Sequence, residues 1–186
     1  MERILIVSAT EKSGVMLARF LADCGVRCQT AIVPTGVEAR RRIASSEFDL
    51  IFINAPLPDE FGVEFSQYAA GQTSAGVLLL VKAEIADDVA AKVERDGVLV
   101  LSKPLSHALM GQGVRLAQAL HKRVDALVRE NRKLQTRIED LRLVSRAKCV
   151  LIECGMTEPA AHAYIEKRAM DTRQSKRDVA RAASAP

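Results

Sequence analysis

The sequence predicts an α/β protein: a doubly wound, five-stranded parallel sheet, followed by a long coiled-coil helix and a small all-α unit of three helices. Three observations carry this. Over the first hundred residues, short apolar runs alternate with amphipathic segments. Beyond about residue 106 that alternation gives way to a heptad pattern. The charge also changes sign along the chain: residues 1–110 hold 11 Lys/Arg against 14 Asp/Glu, whereas 111–186 hold 16 against 9. The expected organisation is a sheet domain over 1–110, a dimerisation helix over 111–145 and a helical unit over 136–186, whose first helix is shared with the coiled coil.

The strand candidates are 4–7, 28–33, 50–53, 77–81 and 98–101, separated by helix-like segments near 13–24, 36–45, 60–70 and 84–94. The runs at 4–7, 51–53 and 78–81 are continuously apolar, as in parallel strands covered on both faces. Chemistry in such a fold sits at the carboxyl ends of the strands. In the long helix, Leu120, Val124, Leu127, Asn131, Leu134, Ile138 and Leu141 fall at alternating d and a positions. Leucine at every d, with Asn131 at an a position where two amides can pair across an axis, predicts a parallel homodimer, the alternative being an ordinary amphipathic helix packed on its own sheet domain. Neither Gly nor Pro interrupts 114–154. Gly155 is placed to stop the helix, Thr157 to cap the next one with Pro159 in its first turn, and Ser175 to open a third with Asp178 three residues on. Residues 182–186 are expected to fray.

Composition narrows the function classes. Of the 186 residues, 48% are hydrophobic, enough for a buried core. No apolar run approaches the roughly 20 residues of a membrane span, and the segment 4–7 is too short for a secretory signal, so a cytoplasmic protein is expected. Cys24, Cys28, Cys149 and Cys154 have neither zinc-ribbon nor Cys-x-x-Cys spacing and read as small buried or partly buried residues in a reducing compartment. His107, His121 and His162 stand apart from them. No metal, cofactor or nucleophile–base pair is indicated, and an enzyme is not expected. The basic second half suits a nucleic-acid partner.

The segment Asp49-Leu-Ile-Phe-Ile-Asn54-Ala-Pro-Leu-Pro58-Asp-Glu-Phe-Gly62 and the step Leu101-Ser-Lys103-Pro104-Leu resemble the third strand with its loop, and the fifth strand, of response-regulator receiver domains. The resemblance covers residues 1–110 and implies a CheY-like fold. The departures are as informative as the matches. The phosphoacceptor position aligns with Asn54, the acidic magnesium pair with Ser8 and Ala9, and the switch hydroxyl with Val81; only Lys103 is kept. A carboxamide is a poor nucleophile, and neutral residues do not attract a hard divalent cation. A receiver that cannot be phosphorylated, governed instead by a partner protein or a ligand, is therefore expected.

Residues 136–182 carry Arg146-Ala147-Lys148, Gly155-Met156-Thr157-Glu158-Pro159, Ala169-Met170-Asp171-Thr-Arg173 and Val179-Ala180. This pattern resembles the ANTAR domain of AmiR- and NasR-type antitermination regulators. The resemblance implies binding to tandem stem-loops in leader RNA, which keeps a terminator hairpin from forming. Arg146, Lys148, Lys167, Arg173, Lys176 and Arg177 are the candidate RNA contacts, and Tyr164 can either stack on a base or pack in the core. Two other readings compete. A DNA-binding regulator would prefer duplex DNA over stem-loop RNA, and a protein-interaction adaptor would show a salt-insensitive partner and no RNA retention.

Overall fold

A computed structural model of the chain describes residues 2–183; the last part of the segment expected to fray lies outside them. The chain forms two compact units, Met1–Ala126 and Leu127–Pro186. In the first, five strands alternate with helices: β1 (Glu2–Ser8), α1 (Glu11–Asp23), β2 (Cys28–Val33), α2 (Gly36–Ser45), β3 (Leu50–Asn54), α3 (Val63–Gln72), β4 (Gly76–Lys82), α4 (Ala86–Val93) and β5 (Leu99–Lys103). All strand pairs are parallel, in the order β2-β1-β3-β4-β5. This is the doubly wound sheet that the alternating pattern predicts.

The period of two along each strand divides the core between the faces. Leu5, Val7, Ile51, Ile53, Leu79 and Val81 pack under α2, α3 and α4. Ile4, Ile6, Phe52, Leu78 and Leu80 pack on the other face against Leu17 and Leu21 of α1 and Met110, Val114 and Ala117. Those last three belong to α5 (His107–Glu153). The start of the long helix is thus the fifth covering helix of the sheet domain, and the first unit extends past the expected boundary at 110. At Gly76 a Cβ would lie 2.5 Å from the carbonyl oxygen of Ala117, so the absence of a side chain lets α5 seat against β4. His121 fastens the same helix: its Nδ1 lies 2.7 Å from the Ser74 carbonyl oxygen and its Nε2 3.2 Å from Asp49 Oδ1.

Local signals explain the helix starts. Thr10 and Thr35 cap α1 and α2 by accepting the amides of Ser13 and Glu38, each at 3.2 Å. Asp59 adds a second cap to α2 from a distant loop, accepting Gly36 and Val37 N–H at 3.0 Å each.

The second unit consists of the remainder of α5, α6 (Glu158–Thr172) and α7 (Lys176–Ala183). Gly155 ends α5 at φ 95°, with Gly155 N–H on the Ile152 carbonyl and Met156 N–H on the Leu151 carbonyl, a Schellman motif. Thr157 occupies the N-cap of α6, but its side chain makes no capping bond. Pro159 stands at the second helical position and has no amide to offer it, which corrects the expected cap. Ser175 does open α7, accepting Asp178 N–H at 3.1 Å and donating to Asp178 Oδ2 at 2.6 Å. The core here is built on small residues: Ala147, Ala161, Ala169 and Ala180 are buried together with Ile165 and Val179.

The coiled-coil candidates Leu120, Val124, Leu127, Leu134, Ile138 and Leu141 form an apolar stripe exposed to solvent in the single chain, from 40% at Leu120 to 70% at Leu141. Asn131 is exposed along the same stretch. Cys24 and Cys28 are partly buried and unpaired as expected, but Cys149 and Cys154 are exposed on the helical unit, where its core uses alanines instead. No described helix is long and apolar enough to cross a membrane.

Candidate nucleic-acid interface and receiver-edge site

At the carboxyl edge of the sheet, register places Ser8 beside Asn54 and Lys82 beside Lys103. Asn54 Nδ2 donates to Ser8 Oγ at 3.1 Å, and Lys103 Nζ donates to the Ala55 carbonyl oxygen at 2.6 Å. Ser8 is buried, whereas Ala9 is exposed and its side chain offers no ligand atom. The acids of the β3–α3 loop are committed elsewhere. Asp59 caps α2, and its carboxyl is held below the usual range, chiefly by the Gly36 amide. Glu60 pairs with both guanidinium nitrogens of Arg40. Among the described residues no three His, Cys, Asp or Glu side chains are grouped to hold a metal ion. The edge is cationic: burial, and then the charge of Lys82, push the Lys103 ammonium below its ordinary pKa.

Val81 is not at this edge. It is 1% exposed and sits in the core cluster under α3 and α4, on the opposite face from Asn54. Strand alternation gives the edge position to Lys82, which shares a face with Leu80 and Leu78. The period of two along β4 was the signal that identifies Lys82, and alignment by resemblance missed it.

The candidate RNA contacts in the helical unit fall into two groups. Lys148 pairs with Glu158 at 2.8 Å, Lys176 with Glu166 at 2.5 Å, and Arg177 with Asp140 at 3.2 Å and Glu139 at 3.8 Å. These pairs tie α5 to α6, α6 to α7 and α7 to α5, so three of the expected contacts also fasten the bundle. By contrast, no ion pair or hydrogen bond engages the exposed side chains of Arg146, Lys167 and Arg173 among the described residues. Arg173 closes α6 at φ 53°, the one non-glycine residue with positive φ among the described residues. Its amide and that of Gln174 satisfy the last carbonyls, of Met170 and Ala169. Tyr164 is 38% exposed, with its helix neighbours Ala161 and Ile165 buried.

The first unit has the fold of a signal receiver. The receiver domain of an HD-domain protein from Pseudomonas fluorescens superposes with a TM-score of 0.56 at 23% identity, over 65% of this chain and 89% of that one. A response-regulator receiver domain from Clostridium thermocellum does so with a TM-score of 0.58 at 16% identity, over 66% of this chain and 98% of that one. Residues 132–182 match the family model of the ANTAR domain. The chain therefore joins a receiver-fold unit to a segment, residues 132–182, that is similar to the ANTAR domain. It is similar to the transcriptional regulatory protein PdtaR of Mycobacterium tuberculosis, 30% identical over 133 residues, 71% of this chain and 65% of that protein. The match thus spans just under two thirds of that relative's length.

Proposed function

We propose that this chain is an RNA-binding transcription antiterminator whose receiver-like domain is not phosphorylated. The observation that carries the reading is the match of residues 132–182 to the ANTAR domain on a three-helix unit that presents Arg146, Lys167 and Arg173 without internal partners. Loop recognition needs cations that can neutralise phosphate and groups that can meet splayed bases. Tyr164, half exposed, is the candidate for stacking. Lys148, Lys176 and Arg177 combine a contact role with holding the helices in place. The neutral Ser8, Ala9 and Asn54 support the loss of phosphotransfer.

The apolar stripe from Leu120 to Leu141, with Asn131 within it, supports a parallel dimer of this chain. A dimer presents two helical units to two adjacent stem-loops, the arrangement a tandem leader structure requires. The test is affinity for a stem-loop RNA and for duplex DNA of the same length at one salt concentration. Clear preference for the stem-loop is expected, and equal or stronger binding of the duplex would overturn the proposal.

A further inference from the structure

We propose that the carboxyl edge of the sheet, on the side of α1, binds a small amphiphilic carboxylic acid, with its carboxylate at Lys103 and its apolar body between α1 and the β5–α5 loop. The strand alternation places Ser8, Asn54, Lys82 and Lys103 on one face, continuous with Ile6, Phe52, Leu80 and Leu101. Against this edge lies a cleft of about 580 Å³, within the range of small-molecule sites. Leu17 and Phe20 of α1, Leu80 of β4, and Pro104 with Leu105 give it mainly apolar walls. Phe20 is braced by His107, with ring centroids 4.4 Å apart. Met16, 67% exposed, stands at the rim.

The polar lining selects the charge of the ligand. The charges of Arg19 and Asp23 are opposite, and Ser13 and Asn54 are neutral, which leaves Lys103 as the net charge of the lining. The Lys103 ammonium is part-buried, spends one donor on the Ala55 carbonyl, and has no carboxylate partner among the described residues. The neighbour across the strand pair is Lys82, a like charge. The Lys103 ammonium lines a partly dry cleft with the like charge of Lys82 beside it in the sheet, an electrostatic cost that a bound anion relieves. A bare inorganic anion would leave the apolar walls wet, whereas an alkyl or aryl acid covers them. This inference is independent of the RNA reading, since every residue in it lies in the first unit.

Titration calorimetry on the full chain tests it, with octanoate and 3-phenylpropionate as probes, and 3-phenylpropan-1-ol, acetate and inorganic phosphate beside them. The two acids are expected to bind, with the alcohol at least about tenfold weaker and acetate and phosphate without effect. Lys103→Met should lower acid affinity about tenfold and erase the preference over the alcohol. Because Met16 is exposed, Met16→Glu and Met16→Lys test the charge at the rim without touching the core: the first should weaken the acids and the second strengthen them. No heat from either acid at about 10 mM, equal binding of acid and alcohol, displacement by phosphate, or acid binding indifferent to both Lys103→Met and the Met16 pair would each overturn the proposal.

Discussion

Asn54 differs from aspartate only in its carboxamide, yet restoring the acid alone is not expected to restore phosphotransfer. Ser8 already occupies the carboxamide by hydrogen bond, and the Ala9 side chain supplies no oxygen, so a second carboxylate for magnesium is still missing. Incubating Asn54→Asp with acetyl phosphate and magnesium should give no phosphoryl adduct by mass spectrometry, and a stoichiometric adduct would contradict the reading. Arg173 permits a sharper separation of roles. Its left-handed backbone favours glycine, so Arg173→Gly should raise stability by up to about 1 kcal/mol while weakening RNA binding. A variant that is more stable and binds RNA undiminished would remove Arg173 from the interface. Single residues also show where sequence reading ran out. Asn54, Ser8 and Lys103 were legible because loop and strand signals fix their positions. Val81 was misplaced by one residue, and in a strand one residue exchanges the faces of the sheet. The division of the basic residues into paired and unpaired groups was not legible, because Glu158, Glu166 and Asp140 meet their partners only after three helices pack.

Helix α2 illustrates an element stabilised from outside its own sequence. The Asp59 carboxylate accepts the amides of Gly36 and Val37, and its pKa is lowered, first by the Gly36 bond. A lowered pKa means the contribution is fully present above the ordinary carboxyl range and is lost as pH falls through the lower folded value. Asp59→Ala should cost about 1 kcal/mol at neutral pH, measured by urea denaturation, and the gap from wild type should close in acid. An undiminished gap at low pH would assign the loss to something other than the carboxylate. Helix α5 is stabilised differently along its length. Met110, Val114 and Ala117 bury its first turns against the sheet, His121 fastens the next, and the exposed stripe runs on from Leu120. Leu127→Ala with Leu134→Ala should give a monomer in sedimentation at micromolar concentration, each truncation costing roughly 2–5 kcal/mol if its site is buried in the dimer. A wild-type chain that sediments as a monomer at high concentration would refute the dimer. Heptads made the stripe readable, since period is a local property. That the start of α5 packs on the sheet was open as the alternative reading, but where it seats was not readable, because Gly76 and Ala117 are far apart in sequence and meet only in the fold.

For the molecule as a whole, a dimer carrying two ANTAR domains should bind paired stem-loops much more tightly than one, and only at a suitable spacing, because the second contact becomes intramolecular. Equal affinity for single and paired loops at every spacing would contradict the antiterminator geometry. At this scale the fold class and the order of the parts were legible, as both follow from pattern and composition, while the ligand of the receiver edge was not, since its cleft is assembled from α1, β4 and the β5–α5 loop. In the helical unit, a core in which, among the described residues, Ala147, Ala161, Ala169 and Ala180 accompany only Ile165 and Val179 as buried residues lets helices approach closely but removes less hydrocarbon from water than a leucine core would. Such a bundle should melt early unless self-association adds to it. Calorimetry should therefore resolve two transitions: one that climbs with protein concentration, as mass action requires of a unit that unfolds and dissociates together, and a receiver transition that stays at the same temperature at every dilution.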